Sequence, residues 1–228
     1  CFNVESAAEL ETLNAVAGRA GRRAPISLRA NPDVDPKTHP YTATGLKESK
    51  FGVAFDEALE LYRRAADLPF VEVRGIDCHI GSQITDLSAC VEAAEKMFGL
   101  VDRLEADGIV LRHVDLGGGL GVRYRDEETI DPYAYALAVR QALGSRRQEL
   151  VFEPGRFLVG AAGVLLTRVV YLKPGAGHDF AIVDAAMNDL LRPALYDAWH
   201  AVEPVRRREG PARRWQIVGP VCESGDFL

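Results

Sequence analysis

From Phe2 to Phe152 short apolar runs alternate with segments of helical spacing, and this alternation is the strongest constraint on what the chain can fold into. Phe2 to Val4, Ile26 to Ala30, Val71 to Cys78, Val110 to Leu116 and Leu150 to Phe152 read as strands. Between them, Ser6-Ala-Ala-Glu9 is a capping box followed by Leu10, Leu13, Val16 and Ala17 at helical spacing. Asp56 to Ala66 is helical and stops before Pro69, and Ser88 to Leu104 places Val91, Ala94, Phe98, Val101 and Leu104 on or near one face. Asp131-Pro132 supplies an N-cap and an N1 proline to a helix that runs to Leu143 and stops at Gly144. Thr38 to Phe51 has no clear period and reads as a long excursion. Strand and helix in alternation build a parallel sheet. Five strands are too few for a closed eight-stranded barrel, which needs ~250 residues. After Gly160 the pattern becomes β-rich, in Gly163 to Lys173, Phe180 to Asp184 and Trp215 to Val221. The expected fold is α/β: residues 1–160 form a partial TIM-like (β/α)8 barrel, and residues 161–228 form part of an all-β domain.

Three successive strands end in polar motifs. His79-Ile-Gly-Ser-Gln83 follows Val71 to Cys78, Gly117-Gly-Gly119 follows Val110 to Leu116, and Glu153-Pro-Gly-Arg156 follows Leu150 to Phe152. The C-terminal ends of parallel barrel strands are where such folds carry their chemistry. Clustered glycines let backbone N–H groups approach one anion, with a phosphate as the usual guest, although a tight turn without a ligand also fits. Val122 stands where the dinucleotide fingerprint needs glycine, and Val122-Arg123 stands where the P-loop needs Lys and Ser/Thr. His79 alone reads equally as a satisfied core histidine, and Glu153-Pro-Gly as a plain turn; three coincidences at one barrel end favour a site. An imidazole can stack on a flat ring, a carboxylate can hold a proton on a ring nitrogen, and a glycine loop can hold a phosphate. Pyridoxal 5'-phosphate satisfies all three.

The net charge of -6 and the lack of a basic stripe argue against nucleic acid. The arginines at 206–208, with Arg213 and Arg214, read as a solvated loop. Cys1, Cys78, Cys90 and Cys222 have no metal-ligand spacing, so no metal is expected. No apolar run reaches membrane length and no signal peptide is visible, which makes a reducing cytoplasm the expected setting. The start at Cys1, directly in a strand, and the stop at Leu228, just after a motif, suggest an internal piece of a longer protein.

Together with Asp115-Leu-Gly-Gly-Gly119, Arg192-Pro-Ala-Leu-Tyr196 and Cys222-Glu-Ser-Gly-Asp226, these motifs resemble those of the diaminopimelate decarboxylases, in the alanine-racemase-like (fold type III) class of pyridoxal phosphate enzymes. The resemblance covers essentially the whole chain. It implies a barrel plus a β-domain, a homodimer with shared active sites, and conversion of meso-2,6-diaminopimelate to L-lysine and CO2 in lysine biosynthesis. By position it implies that His79 stacks on the cofactor ring, that Ser82, Gly117, Gly118 and Gly119 lie near its phosphate, and that Glu153 pairs with the pyridine nitrogen. Gly155 and Arg156 would meet phosphate and substrate, Arg192 and Tyr196 would bind substrate, Cys222 would donate a proton, and Glu223 would recognise the substrate's far end. The family's Schiff-base lysine has no counterpart: Lys37, Lys47, Lys50, Lys96 and Lys173 all lie in other contexts, and Leu28-Arg-Ala-Asn31 carries Arg29, which stays protonated. This chain alone is therefore expected to be inactive, and poorly soluble because an incomplete barrel leaves edges unpaired. Related ornithine, arginine or carboxynorspermidine decarboxylases, or a non-catalytic regulatory relative, are the other readings; shared fold does not fix substrate.

Overall fold

The computed structural model describes residues 1–38, 44–45, 49–207, 209–211 and 213–228. Much of the Thr38 to Phe51 excursion, with Lys47, lies outside the described residues, as does Arg208 of the arginine cluster. The chain divides into two units: residues 1–123 with 127–161, and residues 124–126 with 162–228.

The first unit is a parallel α/β sheet. Its strands are β1 (Phe2–Val4), β2 (Ala24–Asn31), β3 (Val53–Ala54), β4 (Val71–Asp77), β5 (His113–Gly118) and β6 (Glu149–Glu153). They run in the order β1-β2-β4-β5-β6, with β3 paired to β2. The helices are α1 (Ala7–Arg19), α2 (Phe55–Asp67), α3 (Leu87–Ala106), α4 (Pro132–Leu143) and the short α5 (Gly155–Val159). The expected caps are present: Ser6 accepts the Glu9 N–H and Asp131 accepts the Ala134 N–H, each at 3.1 Å. β5 starts later than the apolar run implies and extends into the glycines. A strand needs a partner, and its ladder with β4 starts at Gly75 opposite His113. β3 and α5 carry no sequence signal of their own, being two and five residues long.

Alternation along the strands sorts the two faces of the sheet. Val4, Ile26, Leu28, Ile76, Val114 and the partly buried Leu150 pack with Tyr62, Met97, Phe98 and Leu104 in one helix-side core. The opposite face is polar. Ser27, Arg29, Asp77, His113 and Asp115 lie there, at paired positions along β2, β4 and β5. Gly75 makes room for this layer: a Cβ there would lie 2.1 Å from the His113 ring, which reaches across to meet Ser27 Oγ at 2.9 Å.

The β2–β4 ladder shifts register between Ile26 and Ser27, and a bulge leaves backbone groups without ladder partners. The buried Tyr62 hydroxyl, reaching in from α2, fills that gap. It donates to Gly75 O at 2.7 Å and accepts from Leu28 N at 3.2 Å. Burial holds the phenol protonated far above its ordinary range. Tyr62→Phe strands both backbone groups and is expected to lower stability by about 1–3 kcal/mol, read as a drop in denaturation midpoint at unchanged slope.

The second unit has a small mixed sheet, β7 (Val169–Lys173), β8 (Phe180–Val183) and β9 (Gln216–Val218), with β7 antiparallel and β9 parallel to β8. It adds a short helix, α6 (Arg192–Tyr196), begun by Arg192-Pro193, which the strand-rich pattern did not signal. No helix among the described residues is long and apolar enough to cross a membrane.

Candidate active site

The ends of β4, β5 and β6 are joined by side chains of the first and third polar motifs and by the backbone of the glycine motif. Arg156, in the first turn of α5, donates to Ser82 Oγ at 2.5 Å and to Gln83 Oε1 at 3.1 Å. Gln83 in turn clasps the chain after the glycines, donating to Val122 O at 2.6 Å and accepting from Val122 N at 3.2 Å. Ile84 N donates to Gly119 O and Gly121 N to Ile84 O, extending the same junction. His79, Gly117–Gly119, Ser82, Glu153, Gly155 and Arg156 therefore belong to one constellation in the first unit.

The glycines do something other than present three free amides. Gly117 N donates to Asp115 Oδ1 at 2.8 Å and Gly118 N donates to His79 Nδ1 at 3.1 Å. Their smallness allows close approach of neighbouring backbones. A Cβ would lie 1.9 Å from Glu153 O at position 118 and 1.9 Å from Gly81 O at position 119, and Gly117 and Gly119 also have φ of +67° and +89°. The expectation of N–H groups converging on an anion is thus corrected for Gly117 and Gly118, whose donors are engaged within the protein. Beside the loop, the half-buried Ser82 hydroxyl and Arg156 guanidinium are a polar pair whose chemistry suits an anion.

His79 is half-buried, and burial together with the Arg29 charge lowers its pKa. Its Nδ1 accepts the Gly118 N–H, so the neutral ring carries its proton on Nε2. The ring is thereby fixed in orientation as well as charge. Its carbonyl accepts Thr44 Oγ1 at 2.7 Å. Gly155 and Glu153 are exposed at the same strand ends.

Glu153 has company that motif reading missed. One oxygen each of Asp77, Asp115 and Glu153 lies within 4.8 Å of the others. Burial raises the Asp77 pKa to about 7, with Asp115 adding to it, and burial also raises that of Asp115. Three carboxylates this close could hold a divalent cation. The Arg29 charge already acts on Asp77, however, and its guanidinium pairs with Glu5 at 2.9 Å and lies 4.9 Å from the Phe51 ring. Arg29 thus occupies a structural ion pair on the polar face.

Of the lysines, Lys37 pairs with Asp86, Lys96 pairs with Glu92, Lys50 lies over Phe51, and Lys173 is in β7. Among the described residues, no lysine lies in the junction of β4, β5 and β6.

Arg192, Tyr196, Cys222 and Glu223 are in the second unit. Arg192 is half-buried, with its guanidinium 5.4 Å from the Tyr196 ring and 5.9 Å from that of Tyr124. Cys222 and Glu223 are exposed on a turn that Asp226 builds. The buried Asp226 carboxylate accepts Val221 N at 2.8 Å and Met187 N at 2.6 Å. Gly219 must be glycine there, because a Cβ would lie 2.4 Å from Asp226 Oδ2. Asp226 belonged to the motif in the sequence, and its part is structural.

The family described as pyridoxal-dependent decarboxylase, pyridoxal binding domain, matches residues 1–160. The chain is 61% identical over 228 residues to a diaminopimelate decarboxylase of Pseudomonas aeruginosa and 58% identical to one of Neisseria meningitidis serogroup A. Both alignments take in 100% of this chain, and 55% and 56% of those relatives, so the chain spans about half their length. Its structure matches that of Helicobacter pylori diaminopimelate decarboxylase complexed with L-lysine, with a TM-score of 0.92 at 47% identity, covering 99% of this chain and 57% of the other.

Proposed function

Because the chain belongs to the pyridoxal-dependent decarboxylase family, we propose that the joined ends of β4, β5 and β6 bind pyridoxal phosphate. We further propose that the whole protein carrying this chain converts meso-2,6-diaminopimelate to L-lysine and CO2. The observation that carries the cofactor reading is the junction itself: Arg156 bound to Ser82 and Gln83, and His79 oriented by Gly118, beside the Glu153 carboxylate. The substrate reading rests on identity to named diaminopimelate decarboxylases at 61% and 58%. When bound, pyridoxal phosphate supplies an electron sink for the electron pair left as CO2 departs.

Each residue then has a task. Ser82 and Arg156 hold the phosphate, reinforced by the positive charge of the guanidinium. His79, neutral and fixed, covers one face of the ring. Glu153 would accept a hydrogen bond from the protonated ring nitrogen and favour its charged form. Arg192 clamps a substrate carboxylate and Tyr196 lines its position. Cys222 returns a proton to the carbon that lost CO2, and Glu223 receives the ammonium of the distal end. The lysine that holds the cofactor comes from elsewhere in the whole protein. In a two-fold homodimer Cys222 and Glu223 serve the partner's site.

The test is a substrate series on the full-length protein loaded with pyridoxal phosphate. Turnover of meso-diaminopimelate, with ornithine, arginine and carboxynorspermidine unreactive, is the expected result; preference for any of those three overturns the substrate assignment. Arg192→Ala is expected to raise KM for diaminopimelate roughly tenfold or more with kcat little changed, since a hydrogen bond to a charged group contributes ~1.5–3 kcal/mol. Unchanged kinetics would remove Arg192 from the site.

A further inference from the structure

Behind Glu153, the polar face of the sheet carries charged groups at aligned positions on neighbouring strands. Arg29 on β2 is paired with Asp77 on β4, and Asp77 with Asp115 on β5. One oxygen of each of Asp77, Asp115 and Glu153 lies within 4.8 Å of the others. Like charges this close in a water-poor setting cannot all stay ionised without compensation.

The hydrogen-bond donors show where a proton belongs. Asp115 accepts the Gly117 N–H at 2.8 Å, which favours its charged form. Glu153 is exposed. Asp77 is only 3% exposed, and its Oδ1 is buried with no hydrogen-bond partner among the described residues. The nearest compensating cation, Arg29, is drawn aside: its Nη1 binds Glu5 at 2.9 Å and its Nη2 reaches His79 O at 3.5 Å. A buried carboxylate oxygen with no donor bonded to it favours the protonated form of its group.

We propose that Asp77 is a positioning residue that holds a proton within the sheet's polar face and so lets Glu153 stay ionised for the cofactor's ring nitrogen. The second half of this statement rests on the pyridoxal phosphate reading; the first half stands on the carboxyl cluster alone. The raised Asp77 pKa, about 7, agrees with it. The charged or titratable groups that bear on Asp77 are Arg29 from β2, Asp115 from β5, Glu153 from β6, Glu5 beyond β1, Tyr62 from α2 and the adjoining Cys78.

A carboxyl whose folded pKa lies above its unfolded value binds more protons in the folded state between those two values. Its contribution to stability is full below the unfolded pKa, declines as pH rises toward the folded pKa, and is then constant. Asp77→Asn keeps the shape and stays neutral throughout. In thermal melts of the full-length protein, with cofactor removed, the Asp77→Asn variant should gain on the parent steadily from about pH 4 to about pH 7 and hold a constant lead above that. The gap should reach several degrees, because each kcal/mol moves Tm by roughly 2–4 °C in a domain this large. A gap that does not change with pH overturns the proposal, as does a gap that vanishes when a chelator is added, which would assign the cluster to a cation. Should Asp77→Asn fail to fold, infrared spectroscopy of parent protein labelled with 13C-aspartate reads the same proton directly. A neutral carboxyl band that persists at pH 6 and fades through about pH 7 is expected, and its absence at pH 6 overturns the proposal. Cofactor absorbance in the same preparations reports separately on the pyridoxal phosphate reading: a pH-dependent gap without cofactor binding refutes that reading and leaves the buried proton standing.

Discussion

Gly118→Ala should be among the most damaging single-methyl changes this protein can receive. The added carbon would lie 1.9 Å from the backbone oxygen of Glu153, on the neighbouring strand. No rotamer relieves a clash with backbone, so β5 and β6 must part at the position where Gly118 and Glu153 are register partners. Overpacking of this kind costs about 3 kcal/mol, a fall in Tm of roughly 6–12 °C. The damage should extend to chemistry, because the Gly118 N–H orients the His79 ring and the displaced backbone carries the Glu153 side chain. Gly99→Ala in α3 is the control. A Cβ there meets nothing within 4 Å, and alanine is favoured over glycine in a helix by about 1 kcal/mol. Calorimetry on the pair should show loss at 118 and no loss at 99; equal melting of Gly118→Ala and parent would remove the close strand approach from the account.

Glu153→Gln should leave the fold intact and weaken the reaction. Glutamine retains size and a hydrogen-bonding carbonyl but gives up the negative charge, and it removes one member of the Asp77–Asp115–Glu153 cluster, which relieves repulsion rather than adding it. Stability should therefore hold or rise. The lost charge on the ring nitrogen removes about 1.5–3 kcal/mol of charge-assisted bonding, a fall in kcat/KM of roughly tenfold to a hundredfold or more. Steady-state kinetics with meso-diaminopimelate on full-length protein decides this. A variant with parental kcat/KM would mean that Glu153 does not face the ring nitrogen.

Much of this architecture is written locally in the chain. Strands β1, β2, β4, β5 and β6 were legible because apolar runs are punctuated by Gly, Pro and capping residues, and those signals act within a few positions. The alignment of His79, Gly117–Gly119 and Glu153 at three strand ends followed from parallel strands running in succession. What stayed hidden depends on register. Arg29, Asp77 and Asp115 each sit between apolar neighbours on different strands, a repeated pattern that was present to be read, yet only pairing of β2, β4 and β5 places them in one row. The bulge at Ile26/Ser27 and its filling by Tyr62 likewise join residues 34 positions apart. The glycines of 117–119 were legible as a tight place and not as to which atoms crowd it, since the crowding atoms belong to Gly81, Cys78 and Glu153.

The most direct test of the central claim is a product balance on the full-length protein carrying this chain. Supplied with pyridoxal phosphate and meso-2,6-diaminopimelate, it should release one CO2 and one L-lysine for each substrate consumed. Arg156→Ala, which removes the link to Ser82 and Gln83, should need far more cofactor to reach the same rate. Cofactor bound at the parental level by Arg156→Ala, or a loaded parent that leaves diaminopimelate unchanged, would contradict the account.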